Sequence, residues 1–288
     1  MAPMEDGPRR DGAHYRVSAE EKQRFQGDGY VHLRGVLSDE ELAEIEAVYA
    51  RFLRREIAVP GKDLCDMSGD YGRAFEDYSI VNVMLPRRYH PEWQGNLYER
   101  RAASIAEALH GPGMQLDYDQ LLAKRPQKTD AVFEWHQDQA YWPVLPDPRT
   151  ATCWLAIDDS TLENGCMRFV PGSHLLPLRP HRPFRGGRGE SHTLVADVDP
   201  ARDPVRPVPI RRGDVTVHNE RVLHGSGGNT TAGWRRAYVI AFRAQATVAE
   251  ERRLGFTRSS TPGGSLCECV KPSRRSSATV ACARNAIT

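Results

Sequence analysis

The stretch Ala131–Trp142, AVFEWHQDQAYW, places two metal-ligand side chains inside a run of alternating apolar residues. Such alternation is typical of a β-strand with one buried face. His136 and Asp138 are two residues apart, so an extended backbone directs both side chains to the same face. The run therefore predicts a strand that brings one imidazole and one carboxylate to a common point.

Segments of the same kind lie on both sides of this run, separated by Pro and Gly. They are MQLDYDQLLAK (114–124), TATCWLAIDDS (150–160), CMRFVPGS (166–173), HTLVADV (192–198), VRPVPI (205–210), DVTVHNERVLHG (214–225) and RRAYVIAFRA (235–244). Helical patterns precede them: Ser18 and Ser38 each begin a capped, acidic first turn, and residues 96–111 form a third helix that ends at Gly111. Helices followed by about eight strands predict an α+β fold with a β-sandwich or jelly-roll core.

Size and composition indicate one ordinary globular domain. The chain has 288 residues, of which 40% are hydrophobic and 27% charged, with a formal net charge of +1. That charge gives no reason to expect nucleic acid or an anionic membrane as a partner. We expect a disordered N-terminus over residues 1–16, one domain over 17–254, and an irregular or disordered tail over 255–288.

The expected cellular compartment is inferred from the absence of membrane and secretion signals in the sequence. It has no apolar run long enough for a membrane span, and residues 1–12 carry no apolar stretch typical of a secretory signal. Six cysteines are scattered through the body and the tail, which does not resemble a disulfide framework. We expect a cytoplasmic protein; the Cys267–Cys269 pair is read as plain tail rather than as a metal site. The oligomeric state is left open.

A third metal ligand has to come from another segment, and His224 in VLHGSGGN (222–229) is the best candidate. Two imidazoles and one carboxylate on one face of an octahedron leave three positions open, as an Fe(II) oxygenase requires. His218, six residues earlier, is the alternative ligand, but it lacks the Gly-Ser that follows His224. A His-x-Asp triplet alone is weak evidence, and His174 is read as a structural turn residue.

Arginines follow His224 at a useful distance. Arg235 and Arg236 begin the last strand-like run eleven residues later, and on a strand they face opposite sides. A dicarboxylate held in a partly buried pocket needs a permanently charged, bidentate partner, which favours arginine. Arg235 is the candidate and Ser226 is a candidate hydroxyl donor beside it. The competing interpretation of Arg235 is an exposed surface charge.

Taken in order, these pieces resemble the phytanoyl-CoA dioxygenase family of Fe(II)/2-oxoglutarate enzymes. The resemblance spans about residues 20–245 and rests on HQD (136–138), CWLAIDD (153–159), ENGC (163–166), VPGSH (170–174), RGDV (212–215) and HGSG (224–227) followed by Arg235-Arg236. The resemblance implies a double-stranded β-helix (a cupin-like jelly roll) with N-terminal helices packed on one sheet.

The resemblance also implies a cofactor set and a site. It places Fe(II) at His136, Asp138 and His224, and 2-oxoglutarate at Arg235 and Ser226. It adds two side chains at the cosubstrate site, which are Trp154 and Gln120. O2 is the second cosubstrate. Halogenating relatives replace the carboxylate ligand with a small residue, so Asp138 implies oxygenation of the substrate.

The expected reaction is hydroxylation, or another oxidation, of an unactivated C–H bond of a small molecule, with release of succinate and CO2. Secondary metabolism is the expected setting. Two alternatives stay open: a cupin-like metal enzyme that does not use 2-oxoglutarate, and a non-catalytic jelly-roll binding protein. Phe133, Tyr141 and Trp142 suit a hydrophobic substrate or a packed barrel equally well, and the loop 177–189 is read as a lid or as a surface insertion.

Overall fold

The computed structural model describes residues 9–69, 71–184 and 193–259. Its helices are α1 Ala19–Asp28, α2 Asp39–Leu53, α3 Pro86–Tyr89, α4 Leu97–His110 and α5 Gln245–Arg253. Its strands are β1 Arg10–Asp11, β2 His14–Tyr15, β3 Tyr30–Leu33, β4 Leu64–Asp66, β5 Ile80–Met84, β6 Met114–Lys124, β7 Phe133–His136, β8 Thr150–Ala156, β9 Met167–Phe169, β10 Arg182–Pro183, β11 Leu194–Val195, β12 Arg206–Val208, β13 Val215–His218, β14 His224–Ser226 and β15 Arg235–Ala244. The predicted Cys267–Cys269 segment, residues 185–189 of the predicted loop and most of the predicted tail lie outside the described residues.

Two antiparallel sheets form the core of the molecule. The larger has seven strands in the order β3-β13-β8-β15-β6-β5-β4, and the smaller has four in the order β12-β9-β14-β7. Strands that are distant in sequence pair within both sheets, as a jelly roll requires. The predicted α+β jelly-roll class is confirmed at this level.

The two faces of the seven-stranded sheet have different partners, and strand alternation separates them. Leu155 and Ile240 lie in one large apolar cluster with side chains of α1, α2 and α4. Tyr98 of α4 also donates its hydroxyl to the carbonyl oxygen of Cys153, at 2.9 Å. Trp154 and its neighbours on the opposite face lie in a second cluster that includes Phe169 of the smaller sheet. The space between the sheets is therefore where an inward-facing polar side chain would be isolated from solvent.

Capping boxes begin both long N-terminal helices. Ser18 and Ser38 accept hydrogen bonds from the backbone N–H groups of Glu21 and Glu41, and each glutamate accepts one from the backbone N–H of its serine. These reciprocal bonds satisfy amide groups that a helix N-terminus leaves without partners. The helix starts that the serines predict are therefore found at α1 and α2.

Part of the segment expected to be a disordered N-terminus has a defined structure. Strands β1 and β2 pair in a short hairpin at residues 10–15. Tyr15 is buried, and its hydroxyl donates to the carbonyl oxygen of Arg34 at 2.8 Å. One buried aromatic side chain anchors a polar segment that composition alone would assign to solvent.

Residues 255–259, the part of the predicted tail that the structure describes, are partly buried as well. Phe256, Arg258 and Ser259 are each less than 10% exposed. The backbone N–H of Phe256 donates to the carbonyl oxygen of Glu251, which turns the chain back after α5. An ion pair from Arg258 to Asp117 and a hydrogen bond from Ser259 to Asp63 hold this segment, and apolar periodicity gives no sign of either contact. Within the described ranges, no helix is both long enough and apolar enough to cross a membrane.

Candidate active site

Pairing between β7 and β14 brings the two predicted histidine ligands together. His136, the last residue of β7, is the register partner of His224, the first residue of β14. Their ring centroids are 4.2 Å apart. Gly225 permits this approach, because a Cβ at that position would lie 3.0 Å from the carbonyl oxygen of Phe133.

Asp138 completes the set from a turn instead of from the strand itself. Strand β7 ends at His136, and Asp138 begins a single turn of 3-10 helix, Asp138–Tyr141. Gln137 between them has extended dihedral angles, φ −123° and ψ 125°, so the alternation continues for one more residue. The side chains of His136 and Asp138 therefore point to a common position, as predicted. The observed strand, however, ends before it reaches Asp138.

The three ligand atoms lie at distances that suit one ion. Asp138 Oδ1 is 3.4 Å from His136 Nε2 and 3.6 Å from His224 Nε2. All three ligand atoms lie within 4.8 Å of one another. Metal–ligand bonds of about 2.1 Å at right angles separate neighbouring donors by about 3 Å, so small adjustments would close the set around an ion.

Backbone carbonyl groups orient both imidazoles. His136 Nδ1 contacts the carbonyl oxygen of Glu134 at 2.7 Å, and His224 Nδ1 contacts that of Val222 at 3.0 Å. A carbonyl oxygen can only accept, so each Nδ1 carries the hydrogen and each Nε2 keeps its lone pair for a metal. Residues two positions before each ligand thus select the tautomer.

The protonation states at the site also suit a cation. Burial lowers the pKa of His224 well below its usual value, and the neighbouring His136 lowers it further. Burial alone would raise the pKa of Asp138, but the adjacent imidazoles of His224, His136 and His218 hold it well below its usual value. Neutral imidazole and ionised carboxylate are the forms that coordinate a divalent metal.

Gln137 holds the ligand turn in place, a role that the sequence did not indicate. Its side-chain nitrogen donates to the carbonyl oxygen of Arg221 at 2.6 Å, and its side-chain oxygen accepts from the backbone N–H of Arg179 at 2.9 Å. Its backbone N–H donates to Nε2 of His181 at 3.0 Å. The turn between the two adjacent ligands is therefore bonded on three sides.

His218, the alternative ligand, also lies close to the carboxylate. Its Nε2 is 3.4 Å from Asp138 Oδ2, whereas Oδ1 is the carboxylate oxygen nearest to the other two imidazoles. Neither ring nitrogen has a hydrogen-bond partner among the described residues, and the side chain is buried. His218 is nevertheless absent from the set of mutually close ligand atoms found in the described ranges. The geometry favours His224 as the third ligand.

A second group of polar side chains lies beside the triad, and it is cationic. Arg235 is 2% exposed, and its guanidinium carbon lies 5.1 Å from the ring centroid of Trp154. Its Nε has no acceptor among the described residues. Burial lowers the pKa of Arg235 to about 10. Arg236, in contrast, binds Asp158 and Glu46 on the outer face, so β15 separates the two arginines as alternation predicts.

Lys124 adds a second buried cation that the sequence analysis did not assign to the site. It is 0% exposed, and its ammonium group donates to Ser226 Oγ at 2.7 Å and to the carbonyl oxygen of Gly227. Burial, and then the nearby Arg235 and Arg168, lower its pKa well below the usual value. The available signal was its position at the end of an apolar strand, two residues after the inward-facing Leu122. A strand-end lysine is usually solvated, which conceals this signal.

The other predicted cosubstrate residues lie in the same region with different partners. Ser226 accepts the hydrogen bond of Lys124, and its own hydroxyl hydrogen stays available to a ligand. Gln120 donates to Asn82 Oδ1 at 2.6 Å. Trp154 is 2% exposed. All three side chains line one cavity together with the triad and Arg235.

Comparison with known proteins agrees with this arrangement. A family model described as phytanoyl-CoA dioxygenase matches residues 25–237. Peroxisomal phytanoyl-CoA dioxygenase of Rattus norvegicus is 25% identical over 229 residues, which cover 77% of this chain and 67% of the relative. A probable alpha-ketoglutarate-dependent hypophosphite dioxygenase of Stutzerimonas stutzeri is 26% identical over 238 residues, 78% of each chain.

Solved structures give the same result. EvdO2 from Micromonospora carbonacea var. aurantiaca, complexed with 2-oxoglutarate, has a TM-score of 0.64 and 29% identity, and the match covers 80% of this chain and 91% of that chain. The alpha ketoglutarate-dependent carbocyclase SnoK from nogalamycin biosynthesis has a TM-score of 0.61 and 26% identity, with 79% and 84% covered. The chain belongs to the phytanoyl-CoA dioxygenase family, and it is an iron- and 2-oxoglutarate-dependent dioxygenase.

Proposed function

We propose that this enzyme binds Fe(II) through His136, Asp138 and His224 and oxidises an unactivated C–H bond of a small molecule. The observation that supports the proposal best is the geometry of the triad: two imidazoles present Nε2 to one carboxylate oxygen, at 3.4 and 3.6 Å. Three ligands of this kind leave open positions for a bidentate 2-oxo acid and for O2. When bound, the iron supplies the oxidising chemistry, coupled to conversion of 2-oxoglutarate into succinate and CO2.

The cationic pocket formed by Lys124, Arg235 and Ser226 is proposed to bind the distal carboxylate of 2-oxoglutarate. Arg235 and Lys124 are buried, and neither forms an ion pair with a carboxylate among the described residues. A bound carboxylate would therefore supply the missing counter-charge. A buried cation without a counter-charge destabilises the protein by several kcal/mol, and a bound carboxylate would recover free energy of about that magnitude. Trp154 covers one face of the Arg235 guanidinium and Gln120 lies at the same cavity, as the resemblance implies.

Hydroxylation is the proposed outcome, in secondary metabolism. Its support is the carboxylate ligand Asp138, together with similarity to SnoK from nogalamycin biosynthesis. SnoK is described as a carbocyclase and SnoN as an epimerase, so similar proteins catalyse different reactions. Product analysis by mass spectrometry separates these outcomes, because only hydroxylation adds one oxygen atom from O2.

The proposed catalytic domain spans residues 17–254, and the proposed compartment is the cytoplasm. Cys65, Cys153 and Cys166 are buried free thiols, which supports a reducing environment. The rat relative is a peroxisomal enzyme, so fractionation of the source cells is the direct test.

The test of the metal centre uses anaerobic protein, Fe(II) and 2-oxoglutarate. We expect the weak visible absorption of a metal–2-oxo acid chelate in the unmodified enzyme and none in His224→Gln. His174→Gln is the control, because His174 hydrogen-bonds to the carbonyl oxygen of Gln26 in a turn and does not line the cavity of the triad.

Each alternative has its own signature in this experiment. Metal binding without the absorption, with turnover that ignores 2-oxoglutarate, would indicate a cupin-like enzyme of another chemistry. No metal binding at all would indicate a non-catalytic jelly-roll protein.

A further inference from the structure

Apolar and aromatic side chains surround a cleft beside the metal triad. Its walls include Met67, Met84, Tyr118, Phe133, Tyr141 and Trp142. His136 and Asp138 also line the cleft, so a molecule in it would lie next to the metal. The free volume of the cleft is about 60 Å³. Walls of this composition and size favour the edge of a flat, apolar ring, with the rest of the molecule outside the cleft.

One charged side chain enters this cleft from the segment that follows α5. Arg258 lines the cleft and is 2% exposed. Its guanidinium carbon lies 4.0 Å from the ring centroid of Trp142. Ser259, the next residue, donates its hydroxyl to Asp63 Oδ2 at 2.7 Å, which ties the segment to the residue after Lys62 of the cleft lining. The segment is therefore bonded on both sides of the point where Arg258 enters.

The guanidinium of Arg258 has one nitrogen without a hydrogen-bond acceptor among the described residues. Its Nε donates to Asp117 Oδ2 at 2.9 Å, and its Nη2 donates to Asp117 and to Glu251. Its Nη1 is buried and has no acceptor among the described residues. A buried donor without a partner is costly, and a ligand oxygen would relieve that cost.

The surroundings of Arg258 decide which kind of oxygen fits. Three arginines and three carboxylates form one network with cancelling formal charges, which is buried except for the exposed Arg252: Arg243, Arg252 and Arg258 with Asp117, Glu220 and Glu251. Because acids already neutralise Arg258, its spare N–H favours a neutral carbonyl or hydroxyl oxygen over an anion. Lys62, also at the cleft, is exposed and lies over the ring of Tyr71, so water screens its charge.

We propose that Arg258 is a substrate-binding residue, whose Nη1 donates a hydrogen bond to a carbonyl or hydroxyl oxygen on a neutral, ring-containing substrate. The aromatic walls hold the ring, and Arg258 fixes which edge of it turns away from the metal. This inference rests on the proposed function in one respect: the end of the cleft next to His136 and Asp138 is taken as the place where the substrate reacts. It assigns specificity to a segment that composition predicts to be an irregular tail.

A matched series of naphthalenes tests the proposal by calorimetric titration of the anaerobic Fe(II)·2-oxoglutarate enzyme. The probes are naphthalene, 2-acetylnaphthalene and 2-naphthoate, which share the ring and differ in the oxygen group. We expect the ketone to bind about tenfold more tightly than either of the others, as one buried hydrogen bond to a neutral acceptor predicts. In Arg258→Met this preference disappears, while the affinity for naphthalene stays the same.

Two further variants separate binding from folding. Arg252→Met also removes a partner of Asp117, but Arg252 does not line the cleft, so this variant keeps the preference for the ketone. Arg258→Lys keeps a positive charge beside Asp117 but removes the spare nitrogen, so it loses the preference even if Arg258→Met does not fold. Thermal melting of each variant checks folding.

The result that overturns the proposal is equally specific. It is overturned if Arg258→Met or Arg258→Lys retains the preference for the ketone, if 2-naphthoate binds best, or if no probe binds. The visible absorption of the chelate reports the metal centre separately. Loss of that absorption with the preference intact contradicts the proposed function and supports the role of Arg258.

Discussion

Adjacent arginines at the start of β15 have opposite environments, although the sequence offers the same side chain twice. Arg235 points into the space between the sheets and contacts Trp154, whereas Arg236 points outward to Asp158 and Glu46. The difference follows from the pleat of a strand, which sends successive side chains to opposite faces. A neighbouring position therefore provides the natural control for a test of cosubstrate binding.

Replacing Arg235 with Ala should weaken 2-oxoglutarate binding selectively. Loss of a charge-assisted hydrogen-bonding partner of about 1.5–3 kcal/mol corresponds to a rise in KM for 2-oxoglutarate of roughly 10- to 100-fold. Initial rates at varied 2-oxoglutarate, with a second substrate held constant, provide the measurement. Arg236→Ala should leave that KM within about twofold, and an equal rise in both variants would contradict the assignment.

Lys124 should make cosubstrate binding depend on pH. Burial lowers its pKa well below the usual value, so the ammonium form of the free enzyme is lost as pH rises through that lowered pKa. A dianionic ligand binds the ammonium form better, and the affinity for 2-oxoglutarate should therefore decrease with rising pH. Titrations of Lys124→Met should show a flatter profile. Lys128→Met, outside the cavity, is the control, and an unchanged profile in Lys124→Met would refute the role.

At the scale of elements, helix α2 is attached to the rest of the protein through its first turn. Glu41 closes the capping box with Ser38 and also accepts two hydrogen bonds from the buried Arg101, at 2.6 and 2.7 Å. The Arg101 hydrogen bonds lower the pKa of Glu41 to about 2. One carboxylate thus joins the start of α2 to α4.

Glu41→Gln should lower the free energy of unfolding by about 2–3 kcal/mol at pH 7, because a buried arginine loses its counter-charge. The folded-state pKa lies below the ordinary 4.5, so this stabilisation is complete above about pH 4.5 and is lost as pH falls through about 2. Urea unfolding at pH 7, 4 and 3 should show the difference between the two proteins shrinking. Glu44→Gln, on an exposed position of the same helix, should change little at any pH.

At the scale of the whole molecule, the site joins segments that are distant in the chain. The two sheets meet around the triad and the cationic pocket, and ligands that bind only the folded form should stabilise both sheets together. A redox-silent divalent metal with 2-oxoglutarate at about 100 times its Kd should add about 2.7 kcal/mol from the organic ligand, a rise in Tm of about 5–10 °C. Calorimetry measures this rise, and a chelator should reverse it.

Arg235→Ala separates the two ligands in that experiment. It should keep the shift produced by metal alone and lose the additional shift from 2-oxoglutarate. If the variant keeps the full shift, the dicarboxylate binds elsewhere in the molecule.

Local pattern was sufficient to predict that His136 and Asp138 lie side by side and that one of the two arginines points inward. Alternation around His136 and Asp138, and the position of Arg235 on a strand, depend on backbone pleating, which a short segment determines by itself. The same holds for the serine caps of α1 and α2, because a cap bonds within three residues. These features could be read from the chain without knowledge of its long-range contacts.

Long-range pairing decided the rest. That His136 would face His224, that Lys124 would be buried next to Ser226, and that Arg258 would reach the cleft through Asp117 each depend on contacts between segments more than 85 residues apart. The energy of such contacts comes from burial and charge neutralisation that exist only after the sheets have stacked, so no local pattern records them. The amino-acid sequence alone thus determined the chemistry available to this enzyme, and only the tertiary structure decided which charged groups would be buried together and left with a free bond for a ligand.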